Sequence, residues 1–193
     1  MTNPTIILAS ASPRRRELLT LVGIPHQVDP ADVDETVHRG ERPEVYVERL
    51  AREKAAVVAT RHAGAVVIAA DTTVVHDGEI LGKPESAADA QAMLARLSGH
   101  THEVYTGMAV IVGDRVASAV ERVEVTFRDL SDGDIRAYVA TGEPMDKAGG
   151  YHVDGRGALF ITSVSGSPSN VAGLPVRLLL RLAREAGVDL GLV

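Results

Sequence analysis

The chain has no cysteine and no tryptophan, only two phenylalanines and four tyrosines, and no excess of positive charge. The missing cysteine excludes disulfides, thiolate metal centres and thiol nucleophiles, while leaving the compartment open. So few aromatics leave little from which to build a stacking platform for single-stranded bases. A formal charge of −6 argues against a sequence-independent nucleic-acid binder, which needs a net basic face, although a local basic cleft remains compatible with it. No apolar run approaches the roughly 18 residues of a membrane span, and no charged-then-apolar leader is visible at the start. The expectation is a soluble, cytoplasmic protein with no membrane partner and no stable nucleic-acid partner. The 193 residues, 45% hydrophobic and 24% charged, suffice for one substantial core, so a single domain over residues 1–193 is expected.

Strand-like and helix-like segments alternate, which predicts an α/β fold. The apolar run Ile6-Ile7-Leu8-Ala9 reads as a buried strand. It leads into a helix with Ser12 as N-cap, Pro13 at the first helical position and a stripe of Leu18, Leu19 and Val22 ending at Gly23. A short strand near His26-Gln27-Val28 precedes an acidic loop from Asp29 to Glu35, and Pro43 opens a long helix to about His62. The strand from Val66 to Val75 turns at Asp77-Gly78 into Glu79-Ile80-Leu81 as a hairpin. Ser86 to Leu97 is amphipathic, and two long strands follow, His102 to Val112 and Arg115 to Phe127. Ser131 to Asp134 resembles a capping box for a helix through Val139 closed by Gly142. A glycine-rich stretch then precedes a strand from Ala158 to Val164, and Pro175 opens the last helix, to Gly187.

Three features carry chemistry. Arg14, Arg15 and Arg16 crowd the first turn of a helix whose N-terminus already favours anions, an arrangement that an anionic ligand would stabilise. Arginines that merely solvate a surface helix would read the same. Lys54 lies inside the apolar stripe of Val47, Leu50, Ala51, Ala55, Val57 and Val58, where an ammonium needs an anion, either a ligand or an internal carboxylate. Asp71 interrupts a strand otherwise built for burial, and a buried carboxylate is paired, metal-bound or protonated. With Lys83 after the hairpin, Arg14, Arg15 and Lys54 make four cations, and the loop acids Asp34 and Glu35 join Asp71 as anions. That combination suits a triphosphate with Mg²⁺, and metal-assisted hydrolysis of a phosphoanhydride.

The chain resembles the Maf nucleotide pyrophosphatases, which are related in fold to the inosine-triphosphate pyrophosphatases. The resemblance covers nearly the whole length. It rests on L-A-S-A-S-P-R-R-R-E-L-L at 8–19, D-V-D-E-T at 32–36, R-L-A-R-E-K-A at 49–55, A-D-T-T-V at 70–74, G-E-I-L-G-K-P at 78–84, L-S-G-H-T-H-E-V-Y-T-G at 97–107, E-P-M-D-K-A-G-G-Y at 143–151 and V-A-G-L-P at 171–175. Ordered motifs at these spacings are far more specific than any one of them.

The resemblance implies a central mixed, twisted sheet flanked by helices, two lobes with a cleft between them, and usually a homodimer. It implies hydrolysis of a nucleoside triphosphate to the monophosphate and pyrophosphate with a divalent metal, Mg²⁺ or Mn²⁺. By position, Ser10, Arg14, Arg15, Lys54 and Lys83 look like the phosphate-binding set, and Glu35 and Asp71 like the metal and catalytic carboxylates, with Lys54 and Lys83 also catalytic. Water would attack the α-phosphorus, and Asp71 resembles its proton acceptor. Lys147, beside Asp146, reads as either a ligand contact or a surface pair.

Base preference divides the family into a branch for dTTP and UTP and one for 7-methyl-GTP. Arg14, Thr72 and the D-K-A-G-G-Y run resemble the first, which carries Gln where this chain has Asp154; the second is acidic there. An ionised carboxylate only accepts, which matches the adjacent donors of guanine, whereas a water bridge would admit a pyrimidine and a turn would suit Asp154-Gly155 without any ligand. Other classes are weaker. The seven histidines are scattered, with no third ligand for His100 and His102, and Ser165-Gly166-Ser167 is no nucleophile elbow. The non-enzymatic alternative is a nucleotide- or nucleic-acid-binding regulator of cell division.

Overall fold

All three side chains of Ile6–Leu8 are buried, and they form strand β1 of the computed structural model, which describes residues 4–191. Parallel strands lie on both sides of it, β2 (Gln27–Val28) and β3 (Val66–His76), with Ile7 opposite both Gln27 and Val67. Parallel strands tend to be covered on both faces, which accounts for the unbroken apolar runs of β1 and the first half of β3. The other strands are β4 (Glu79–Leu81), β5 (Thr101–Val112), β6 (Arg115–Phe127) and β7 (Ile161–Ser165). The mixed sheet runs β2-β1-β3-β5-β6-β7, with β4 paired to β3. The helices are α1 (Pro13–Leu21), α2 (Pro43–Ala59), α3 (Ala87–Leu97), α4 (Asp132–Val139), α5 (Pro168–Val171) and α6 (Val176–Glu185). This is the expected α/β class, a mixed sheet flanked by helices.

By its contacts the chain divides into two units. The first takes the chain up to Asp71, Thr106–Glu121, and everything from Gly173 onward; the second takes Thr72–Tyr105 and Arg122–Ala172. In the first unit, α2 buries Val47, Leu50, Ala51, Lys54, Ala55 and Val58, whereas Val57, expected in the same stripe, turns to the exposed side of the helix. Ala51 and Ala55 pack in one core with Ala9, just after β1, and with Ala69 and Ala109 of β3 and β5. Small side chains on both surfaces allow close approach, and Gly107 of β5 takes this furthest. A Cβ there would sit 2.2 Å from the Val47 carbonyl oxygen, a backbone atom that cannot swing away. Only glycine lets the helix carrying Lys54 rest at this depth on the strand.

In the second unit, Asp77 and Gly78 both have positive φ, 51° and 77°, the geometry of a two-residue hairpin turn whose hand matches strand twist. Ser86 caps α3 by accepting from Asp89 N–H. At α4 the capping box is complete, with Ser131 Oγ accepting from Asp134 N–H and the Asp134 carboxylate accepting from Ser131 N–H. The core includes both phenylalanines, Phe127 and Phe160, with Tyr138 and Tyr151 in edge-on ring contacts.

Two boundaries depart from expectation by about three residues, more than the others. Helix α2 stops at Ala59 rather than near His62, because Arg61 and His62 both turn to the Asp29 carboxylate, at 3.2 and 2.7 Å. Strand β7 begins at Ile161 rather than Ala158, since residues Arg156–Phe160 form a 3₁₀ turn. The Arg156 and Gly157 amides at the start of that turn donate to the Glu143 carboxylate, so the turn is held by a distant side chain.

Replacing Gly107 with Ala should lower the unfolding free energy by about 2–3 kcal/mol through overpacking. The measurement is the urea unfolding midpoint, and a wild-type midpoint would contradict the close seating of α2.

Candidate active site

Lys54 is only 7% exposed. Its Nζ lies 2.6 Å from Asp71 Oδ1 and 2.6 Å from Glu35 Oε1. The two carboxylate oxygens are therefore no further apart than twice that distance. Asp71 comes from the middle of β3, with a side chain 11% exposed, whereas Glu35 comes from the loop before α2 and is 51% exposed. One buried cation thus holds one buried and one accessible carboxylate.

Arg15 belongs to the same neighbourhood. Its Nε donates to the Gly173 carbonyl and its Nη1 to Ser10 Oγ, both at 2.9 Å. Burial pulls the Arg15 pKa below its ordinary value, while the charges of Asp71 and Glu35 push it back up. A guanidinium remains charged under such a shift. Ser12 Oγ caps the helix and Pro13 starts it, as expected, so Arg15 projects from the first turn of α1. Ser10, Arg15, Glu35, Lys54 and Asp71 are brought together within the first unit.

The loop carrying Glu35 is held by α2. Tyr46 Oη donates to the Glu35 carbonyl at 3.0 Å, and Arg49 Nη2 donates to the Thr36 carbonyl at 3.1 Å. Arg49 also grips Glu41 with two bonds, Nε to Oε1 at 2.7 Å and Nη2 to Oε2 at 2.8 Å. The Arg49 bonds depress the Glu41 pKa to about 2 against the opposing effect of burial. Burial, then the charges of Asp71 and Glu35, push the Tyr46 hydroxyl up to about 12, so it stays a donor at neutral pH.

Arg14 pairs with Glu17 on its own helix at 3.0 Å. The Asp34 carboxylate is taken up by its own loop, accepting from Thr36 N–H at 2.9 Å, so Glu35 is the loop acid that meets Lys54. Thr72, Lys83, Lys147 and Asp154 belong to the second unit. Thr72 follows Asp71 in β3 and therefore faces the other side of the strand. Lys83 is exposed after β4, Lys147 pairs with Asp146, and Asp154 is exposed in a turn. That turn is organised by Glu143, which accepts from the Tyr138 hydroxyl and from the Arg156 and Gly157 amides. Burial would raise the Glu143 pKa, yet these donors together hold it below the usual carboxylate value.

Sequence reasoning missed Tyr46, Arg49, Glu41 and Glu143. The first two bond to backbone carbonyls, which leave no trace in residue type, and a charged side chain on an outward helix face is unremarkable. The partners of Glu41 and Glu143, respectively Arg49 and the Tyr138, Arg156 and Gly157 donors, are set only by the folded chain.

Among the described residues, no three His, Asp or Glu side chains form a self-sufficient metal cage. The pair Glu35 and Asp71 nevertheless fits a hard divalent ion such as Mg²⁺. Such an ion is commonly held by one or two protein carboxylates and completes its shell with phosphate oxygens and water. The two carboxylates already converge on one cation. No helix among the described residues is long and apolar enough to cross a membrane.

A family model described as "Maf-like protein" matches residues 5–186. The chain is 55% identical to a protein named dTTP/UTP pyrophosphatase from Myxococcus xanthus, covering 96% of this chain and 94% of that one. It is 50% identical to a protein of the same name from Moorella thermoacetica, over 95% and 96% of the two chains. Among solved structures it is similar to the Staphylococcus aureus Ham1 protein, at 19% identity over 66% of this chain and 72% of that one, with a TM-score of 0.46.

Because Glu41 titrates near 2 in the folded protein, its pairing with Arg49 stabilises the fold above the unfolded carboxylate value and is lost as pH falls through that window. A Glu41→Gln variant should be less stable than wild type at pH 7, with the deficit shrinking between about pH 4.5 and 2. Denaturant midpoints across that range check it, and a pH-independent deficit would be the contrary result.

Proposed function

The chain belongs to the Maf family, and from that premise we propose that it is a metal-dependent nucleoside triphosphate pyrophosphatase, yielding the monophosphate and pyrophosphate. The observation that carries the reading is the Lys54 ammonium held 2.6 Å from each of two carboxylates, with the Arg15 guanidinium close enough to respond to both. Two cations and two carboxylates sum to no net charge. A triphosphate brings three or four negative charges, so further positive charge must enter with it.

Water attacks the α-phosphorus, the bond from that phosphorus to the bridging oxygen breaks, and pyrophosphate departs. Asp71 accepts the proton from the attacking water, a role open to a carboxylate whose partner among the described residues is the Lys54 ammonium, at Oδ1. Arg15 offers a planar fork to phosphate oxygens, and its bond to Ser10 Oγ leaves that hydroxyl proton free to donate onward. Lys54 neutralises charge developing on the leaving group. A divalent ion, Mg²⁺ or Mn²⁺, held by Glu35 and Asp71 would supply charge neutralisation on the phosphate oxygens and an acidified water. Arg14 and Lys83 are proposed as further phosphate contacts, and the family resemblance extends the proposal to a homodimer.

For the base we propose dTTP and UTP, supported by the names of the relatives at 50–55% identity. Thr72 and Asp154 are the candidate specificity residues with Arg14. The Asp154 carboxylate can accept from pyrimidine N3–H but cannot donate to the flanking carbonyls, a task left to an amide or water.

A panel of nucleoside triphosphates with Mg²⁺ or Mn²⁺, scored for both phosphate products, tests the activity. Pyrophosphate is the expected product; orthophosphate, or binding without turnover, would overturn the proposal, the latter in favour of a regulator. Asp71→Asn keeps an acceptor for Lys54, so the fold should persist while kcat falls at least about 100-fold. Asp154→Gln should raise dTTP and UTP turnover relative to guanine nucleotides, and an unchanged ratio would remove Asp154 from base reading.

A further inference from the structure

Glu35 is half-exposed on a loop without regular structure, yet it must present its carboxylate to Lys54 reproducibly. Beyond Asp29, whose amide donates to the Leu8 carbonyl, this loop has no backbone bond to a strand among the described residues. Its two consecutive carbonyls, Glu35 and Thr36, are instead bonded by Tyr46 Oη and Arg49 Nη2 at 3.0 and 3.1 Å. These two side chains stand three residues apart on α2 and so share a face. The Arg49 guanidinium lies 5.7 Å from the Tyr46 ring centroid, a cation–π contact that joins them. Glu41, at the far end of the loop, fixes the guanidinium with two bonds. Lys54, further along α2, takes the Glu35 carboxylate.

We propose that Tyr46 and Arg49 are positioning residues that aim the Glu35 carboxylate, so that α2 holds this residue by its backbone as well as its side chain. The inference rests on the pyrophosphatase reading, in which Glu35 is a working carboxylate. Tyr46 and Arg49 have no contact with reacting atoms in this assignment; they act through the loop. A side chain on a loop misplaced by an ångström costs on the order of 100-fold in rate, so losing one of two holding bonds should cost about 10-fold.

The experiment compares Tyr46→Phe and Arg49→Lys with Glu35→Gln. Phe keeps the ring beneath Arg49 and loses only the hydroxyl; Lys keeps the charge and loses the fork. Pyrophosphate release is measured against nucleotide and Mg²⁺ concentration, and amide hydrogen exchange is followed over residues 32–38. Both variants should lose about 10-fold in kcat with KM for nucleotide within about twofold of wild type, and need more Mg²⁺ for half-maximal rate. Exchange at residues 35–37 should quicken while the core of α2 stays protected. Wild-type kcat in both variants, with Glu35→Gln inactive, would overturn the proposal, as would unchanged exchange. Should Glu35→Gln turn over normally, the catalytic reading of Glu35 fails, and the exchange rates alone then decide whether the clamp exists. If one variant does not fold, the other carries the same comparison.

Discussion

The site depends on the Lys54 ammonium, which is buried between Asp71 and Glu35 at 2.6 Å from each. An ammonium removed from water must regain its hydration energy from close anions, and the partners must in turn be brought to it. The demand reaches into the fold. The alanine-lined contact of α2 with the strands, and the glycine at 107, set the depth at which Lys54 reaches β3. The loop of residues 29–42 is tied to the same helix, and Glu35 arrives with it.

The two loops that carry candidate ligand-facing acids are held in the same way. Around Glu35, a tyrosine hydroxyl and an arginine donate to backbone carbonyls, with Glu41 locking the arginine. Around Asp154, the Tyr138 hydroxyl donates to Glu143, whose carboxylate in turn accepts from the Arg156 and Gly157 amides. Irregular backbone has no ladder to satisfy its polar groups, so side chains complete the accounting. Burial of the two hydroxyls raises their pKa values, to about 12 for Tyr46 and higher still for Tyr138, keeping both as donors. Four of the few aromatic side chains are thus read structurally: two tyrosines as loop anchors, and Phe127 and Phe160 as core.

Much of this was legible in the residue string, and the boundary of legibility has physical reasons. Ser12-Pro13 announced α1, Asp77-Gly78 the hairpin and Ser131-Asp134 the capping box, because caps and turns are local chemistry. Lys54 and Asp71 stood out as charges in apolar periodicity, and the structure joins them directly. The choice between Asp34 and Glu35 was not readable at the level of residue type; it depends on which carboxylate the loop spends on its own Thr36 amide. The last three residues of the 3₁₀ turn at Arg156–Phe160 read as strand for the corresponding reason, since the amides that start the turn are satisfied by Glu143 from outside the segment.

Lys54 and Asp71 alone would read equally well as a structural bridge. A structural role, however, requires one carboxylate, and apolar side chains of similar volume would often serve stability as well or better, by about 1–4 kcal/mol. Neither fact accounts for Glu35. Its side chain is 51% exposed, and an ion pair to so accessible a carboxylate adds little to stability. Yet Tyr46 and Arg49 hold the loop so that this contact forms. An accessible carboxylate is thereby kept beside a buried ammonium and a second carboxylate. With Arg15 adjacent and the local charge balanced, the arrangement is suited to an anion that arrives with its own counter-cation. A polyphosphate with a divalent ion meets that requirement, and an internal salt bridge does not.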